Sequence, residues 1–100
     1  MYILRQTIEF QNWLDNLDDK RAQVRIAARV RHAEAGNLGD WKPVGEEVSE
    51  MRVDFGPGYR LYFTRRRNVL IIMLAGGTKP SQKRDIKRAQ RVAQELELEP

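Results

Sequence analysis

The chain has 100 residues, 41% hydrophobic and 32% charged, with a formal net charge of +4 at pH 7. That length suits one domain, 1–100, with a modest core, and the apolar fraction argues against disorder. It contains no cysteine, which excludes a disulfide framework and a thiol nucleophile and fits a cytoplasmic protein.

The first ten residues lack the basic start and apolar run of a secretory signal. The longest apolar run, Val69 to Ala75, is seven residues, against about 20 for a bilayer span, so no membrane partner is expected. Charge is unevenly placed. Residues 1–50 carry seven Lys/Arg and nine Asp/Glu, a net of −2; residues 51–100 carry eleven and five, a net of +6. A local field this positive points to nucleic acid or an acidic protein partner. A solvated basic face kept for solubility is the bland alternative.

In chain order, Tyr2 to Arg5 is β-prone. Thr7 is placed to cap a helix whose apolar face is Phe10, Trp13, Leu14 and Leu17. Asp18 and Asp19 end that helix and cap a second, running to about Ala35. Its inward stripe is Ala22, Ile26, Val30 and Ala33, with Arg21, Arg25 and Arg29 on an outer face. So tight a connection predicts an antiparallel helical hairpin. After Gly36 to Asp40, Trp41 to Val44 reads as a short strand, and Pro43 keeps it from a central position.

From Val48 the strand signal strengthens. Met51, Val53 and Phe55 alternate with Glu50, Arg52 and Asp54; Tyr59, Leu61 and Phe63 alternate with Arg60, Tyr62 and Thr64. A three-residue loop at Gly56-Pro57-Gly58 would set Phe55 opposite Tyr59, Arg60 opposite Asp54 and Tyr62 opposite Arg52. All four polar residues would then share one polar face. Arg65 to Asn68 is a turn, Val69 to Ala75 a central strand ended by Gly76-Gly77, and Pro80 or Ser81 opens a last helix with Ile86, Ala89, Ala93 and Leu96 inward. The predicted fold is α+β in the order β-α-α-β-β-β-α: a helical hairpin on a mostly antiparallel sheet, then a C-terminal helix.

Composition restricts the chemistry. The single histidine, His32, lies in the second helix and reads as a surface residue. Asp40, Glu46, Glu47 and Glu50 lack zinc or calcium spacing and read as a solvated acidic segment, so no metal or other cofactor is expected. Gly76-Gly77-Thr78-Lys79 lacks the upstream glycine and the Gly-Lys-Ser/Thr ending of a phosphate loop. Its glycines admit a close ligand and the following helix start attracts anions, with Lys79 and Lys83 nearby. A turn that needs glycine for its backbone angles fits equally well.

The Arg52, Arg60 and Tyr62 face suits a phosphodiester. Attack of a 2′-OH on its own 3′-phosphate needs no metal, only in-line geometry, cations on the growing charge and two proton transfers. Arginine grips phosphate bidentately. Tyr62 reads as a perturbed base or as a platform that stacks on an RNA base. A salt-bridged face with Asp54 neutralising Arg60 is the competing reading.

Several segments carry a resemblance: Phe10-x-x-Trp13-Leu14, Gly36 to Asp40, Lys42 to Gly45, Glu50-Met51-Arg52, Gly56 to Tyr62, and Gly76 to Lys79 with Gln82 and Asp85. Together, and in this order, they resemble the addiction-module killer proteins, a HigB-like branch of the RelE/ParE toxin superfamily. The resemblance implies a small ribonuclease-like α+β domain, the toxin of a type II toxin–antitoxin pair. It implies ribosome-dependent cleavage of mRNA, as in RelE-type members, or inhibition of DNA gyrase by protein binding, as in ParE-type members. It also implies an acidic antitoxin partner, with operator DNA reached through the toxin–antitoxin complex. Arg52 and Arg60 match basic sheet positions of active RelE-like toxins. Tyr62 and Lys79 are the remaining catalytic candidates, and Lys42, Lys83 and Arg84 further phosphate-binding ones. Thr78 stands where this branch usually has an acid, and the chain closes on a helix rather than a tail with a catalytic Tyr or His, so the general base has no assignment.

Overall fold

The computed structural model describes residues 1–97. The elements are β1 (Ile3–Gln6), α1 (Ile8–Asp15), α2 (Lys20–Glu34), β2 (Trp41–Gly45), β3 (Val48–Val53), β4 (Tyr59–Arg66), β5 (Leu70–Thr78), a single 3-10 turn (Lys79–Ser81) and α3 (Gln82–Glu97). Four strands follow the two helices where the predicted order has three; the short strand expected at Trp41 to Val44 is among them, paired with β3 through an irregularity between Pro43 and Gly45. The sheet order is β1-β5-β4-β3-β2. Only the β1–β5 pair is parallel; the others are antiparallel. Pro43 lies on β2, an edge strand, where its missing N–H costs no ladder bond.

Local chemistry explains the helix starts. Thr7 Oγ1 accepts from the Phe10 N–H at 3.0 Å and donates to the Leu74 carbonyl at 2.9 Å, so one hydroxyl caps α1 and ties it to β5. Asp19 caps α2 by accepting from the N–H groups of Arg21 and Ala22. The predicted inward stripe of α2 is the observed one: Ala22, Ile26, Val30 and Ala33 are all buried. With Phe10 of α1 they pack on Met51, Leu61, Phe63, Ile71 and Met73 from one face of the sheet.

The opposite face is not the open polar surface expected from the alternation. The last helix covers it: Val48, Tyr62, Leu74 and Ala75 pack with Ala89 and Ala93 of α3. The small alanines let α3 approach the sheet closely. The sheet is therefore a middle layer between the α1–α2 pair and α3.

The β3–β4 hairpin corrects the expected register. Val53, not Phe55, pairs with Tyr59, so Arg52 faces Arg60, Met51 faces Leu61 and Glu50 faces Tyr62. The loop is 54–58, five residues rather than three. Gly56 (φ 56°) and Gly58 (φ 81°) hold left-handed backbone, and the Phe55 N–H turns back to the Val53 carbonyl at 2.9 Å. Phe55 thus leaves the strand, and its ring receives the Arg25 guanidinium at 4.7 Å from the centroid. Because the slip is of two residues, each side chain keeps its predicted face. Asp54, however, leaves the strand and is exposed, so it is not the partner of Arg60.

The Gly76-Gly77-Thr78 segment is also corrected. It is strand, not turn: Gly77 pairs with Arg60 and Gly76 with Leu61. Neither glycine has positive φ. They are glycines because of what lies above them. A Cβ on Gly76 would enter the Trp13 ring, and one on Gly77 would enter the Asp85 carboxylate.

Candidate functional site

Strand register brings the predicted residues into two rows beneath the start of α3. One row across the sheet is Lys42, Glu50, Tyr62, Ala75; the next is Arg52, Arg60, Gly77. Two arginines directly opposite one another would repel. Glu50, fully buried at 0% exposure, stands between them. Its Oε1 lies 3.4 Å from Arg52 Nε and 3.8 Å from Arg60 Nε. Its Oε2 accepts from Gln82 Nε2 of α3 at 2.6 Å. Glu50 is thus no part of a solvated acidic segment but the anion around which the site is built. Its alternation with Arg52 in the sequence was the signal for this.

A second buried carboxylate lies one row over. Asp85 sits above Gly77 and accepts from the Ser81 hydroxyl, and Arg88 Nη2 lies 3.3 Å from its other oxygen. Arg88 Nη2 also donates to the Gly76 carbonyl at 2.9 Å. Gln82, Asp85 and Ala89 recur at helical spacing on one face of α3, which makes them members of the site that residue type alone does not disclose.

Arg60 is buried and donates from Nη1 to the Tyr59 carbonyl at 3.3 Å. Lys79 reaches the same end of the sheet, its N–H donating to the Gly58 carbonyl at 2.8 Å. A Cβ on Gly58 would lie 3.5 Å from Arg60 Nη1 and 3.6 Å from Lys79 Cβ, so the Arg60 guanidinium and the base of the Lys79 side chain flank Gly58. Arg52 keeps 39% of its side chain exposed and Lys79 is exposed. The cluster therefore presents Arg52 and Lys79 outward, with Arg60 and Glu50 behind them.

Tyr62 takes neither expected role. It is fully buried (0% exposed), and its hydroxyl makes no hydrogen bond of good geometry among the described residues. Burial, with the Glu50 and Asp85 charges adding and Arg60 opposing, pushes the phenol well above its ordinary value. A phenol so held neither stacks on an incoming base nor accepts a proton at neutral pH. It forms the floor of the site.

The remaining candidates are spread out. Lys42 is exposed on edge strand β2, in the Glu50 row. Lys83 and Arg84 are exposed on the first turns of α3, where they line a separate shallow basin with Pro80, Ser81 and Lys87. On the other side of Arg52, a groove between α2 and β3 is lined by Arg25, Arg29, His32 and Arg52, with Asp54 at its edge. Arg29 Nη2 donates to the Asp40 carbonyl at 3.2 Å. Burial draws its guanidinium below the ordinary value, the Asp40 charge partly offsetting; it stays charged at neutral pH. His32 is exposed, as its sequence position implied.

Among the described residues, no group of three or more His, Cys, Asp or Glu side chains is arranged to hold a metal ion. Nor is any described helix long and apolar enough to cross a membrane. What the arrangement offers chemically is a set of fixed positive charges, oriented by buried carboxylates, at one end of a rigid sheet. Such preorganised cations bind phosphate and stabilise charge that develops on it.

A protein of Haemophilus influenzae, described only as uncharacterized, is 43% identical over 95 residues, spanning 95% of this chain and 96% of the relative. The family described as "Phage derived protein Gp49-like (DUF891)" matches residues 12–97, which takes in the second half of α1, every element after it and all the site residues above. The chain therefore belongs to the phage-derived Gp49-like family, a family of RelE-like toxins of toxin–antitoxin systems.

Proposed function

We propose that this chain is a HigB-like toxin acting as a ribosome-dependent endoribonuclease that inhibits translation by cutting mRNA in the cytoplasm. The observation that carries the reading is the Arg52–Arg60 pair held by buried Glu50, with Lys79 at the same end of the sheet and solvent reached through Arg52 and Lys79. In the reaction an RNA 2′-oxygen attacks the adjacent phosphorus and the P–O5′ bond breaks. The 2′-OH loses its proton and the departing 5′-oxygen gains one. Arg52 and Lys79 hold the phosphate, and Arg60, fixed from behind, adds to the positive field as charge builds on it. Lys42 lies on the approach. Tyr62, buried and protonated, is not one of the proton carriers.

The family implies an antitoxin partner. An acidic one, meeting the basic C-terminal half, would mask the cluster, and operator DNA would be contacted through that complex. The burial of Tyr62 favours one competing reading, a gyrase inhibitor that works by protein binding alone. Induction without antitoxin, followed by primer extension on ribosome-bound mRNA, separates the two. Discrete cuts that fall about 10²-fold in Arg52→Ala and Lys79→Ala support the nuclease. Intact mRNA with blocked DNA supercoiling refutes it. These two side chains are the right targets because Lys79 is exposed and Arg52 partly so, and neither belongs to the apolar core.

A further inference from the structure

Arg52 belongs to two surfaces. Inward it meets Glu50; outward it lines the α2–β3 groove with Arg25, Arg29 and His32. Next to that groove, on the outer face of α2, is a recess lined by Lys20, Arg21, Val24, Arg25 and Phe55. Its floor is apolar although its rim is cationic. Val24 is 66% exposed there, an unusual place for a branched apolar residue on a helix otherwise lined with arginine. Arg25 joins the two surfaces, its guanidinium lying 4.7 Å from the Phe55 ring centroid.

We infer that the groove and recess form a binding track for single-stranded RNA continuing from the Arg52–Lys79 cluster. One nucleobase stacks on the Arg25–Phe55 pair against Val24, and its phosphate lies in the groove between Arg29 and Arg52. Single-stranded nucleic acid is held by this combination of flat stacking surfaces and a cationic path for the backbone. Charge complementarity selects a polyanion: three arginines (Arg25, Arg29 and Arg52) line the groove beside His32, against Asp54. The stacked guanidinium and ring favour a planar base over an acidic peptide, whose carboxylates need the charges but not the ring. Continuity through Arg52 gives the track a direction, out of the candidate site and along α2. The inference rests on the reading that the Arg52 cluster meets RNA, and it names where the adjoining nucleotide lies.

The probe is a fluorescently labelled, 2′-O-methyl hexaribonucleotide, which cannot be cut by 2′-OH attack, followed by anisotropy at low salt. Phe55→Ala and Arg25→Ala are each expected to weaken binding about tenfold. Phe55→Trp is expected to retain it and Phe55→Leu to lose it, whereas a merely packing role would be restored by leucine as well. Circular dichroism checks that each variant is folded. Wild-type protein that does not bind the probe, alanine variants that bind as wild type, or equal rescue by Leu and Trp would overturn the track. So would a polyglutamate peptide whose binding is lost in Phe55→Ala while probe binding is not. The nuclease reading fails separately: if ribosome-bound mRNA stays intact while Phe55→Ala still weakens the probe, the track stands without the cleavage.

Discussion

Replacing Glu50 by Gln tests whether the buried carboxylate organises the site. The change keeps shape and removes one charge. Glu50 is fully buried and serves three donors: Arg52, Arg60 and Gln82. A glutamine has one carbonyl oxygen, so it accepts from Gln82 or from the arginines but not both, and its amide then points a donor at a donor. The Arg52 share is small, because that side chain is 39% exposed and solvent screens it. The larger share comes from Arg60, whose side chain is only 11% exposed and which would be left without its counter-charge. Removing one partner of a buried pair costs about 3–5 kcal/mol. The 3.8 Å separation is longer than a hydrogen bond, which places this pair at the low end, about 3 kcal/mol. For a domain of this size that lowers the melting temperature by roughly 12–24 °C. Urea denaturation with an unchanged m-value measures it. A loss under about 1 kcal/mol would refute the assignment of Glu50 as the anion that holds Arg60 in place. The double replacement Glu50→Met with Arg60→Met is expected to recover much of the loss, because it leaves neither member of the pair buried without the other.

Other outcomes follow from the same contacts. Gly77→Ala puts a methyl into the Asp85 carboxylate and Gly76→Ala puts one into Trp13; each is expected to cost about 1–3 kcal/mol in urea denaturation. Thr7→Ala removes both the α1 cap and the bond to Leu74, at about 1–2 kcal/mol by the same assay. Tyr62→Phe is expected to leave stability at pH 7 within about 1 kcal/mol, because the hydroxyl makes no hydrogen bond of good geometry to lose. The phenol's value in the folded state is raised, so its contribution is complete below the unfolded value of about 10 and is lost as pH rises above it. Wild-type protein should therefore lose stability more steeply than Tyr62→Phe above about pH 10, as melting curves across that range would show.

Much of the architecture was legible because periodicity reports burial. The α2 stripe and the alternation in β3 and β4 fixed which residues face which layer, and that survived a two-residue slip in the hairpin because faces repeat every two residues. The slip itself was not legible. It depends on Phe55 leaving the strand for Arg25, a contact with a helix thirty residues earlier in the chain. The same limit hid the character of the polar face. Alternation of polar and apolar residues says that two faces differ; it does not say that the polar one is open to water. Glu50 and Tyr62 are polar residues on a face that α3 covers. Gly76 and Gly77 misled in a related way, since a glycine pair signals a turn locally but here makes room for Trp13 and Asp85.

That covered face changes what a loss of function would mean. Arg52 and Lys79 meet solvent, but α3 braces what lies behind them: Gln82 donates to Glu50, and Asp85 and Arg88 pair over the Gly76-Gly77 strand. Two buried carboxylates, Glu50 beneath α3 and Asp85 on it, make the site depend on that helix's packing. A substitution at Ala89 or Ala93 that lifts α3 from the sheet would wet Glu50 and Asp85 and weaken their hold on the arginines, without touching a residue that meets phosphate. Activity lost with stability marks the buried group: Glu50, Gln82, Asp85 and the α3 alanines. Activity lost at full stability marks Arg52 and Lys79. Measuring both for each variant divides the cluster into the residues that hold the charge in place and those that present it.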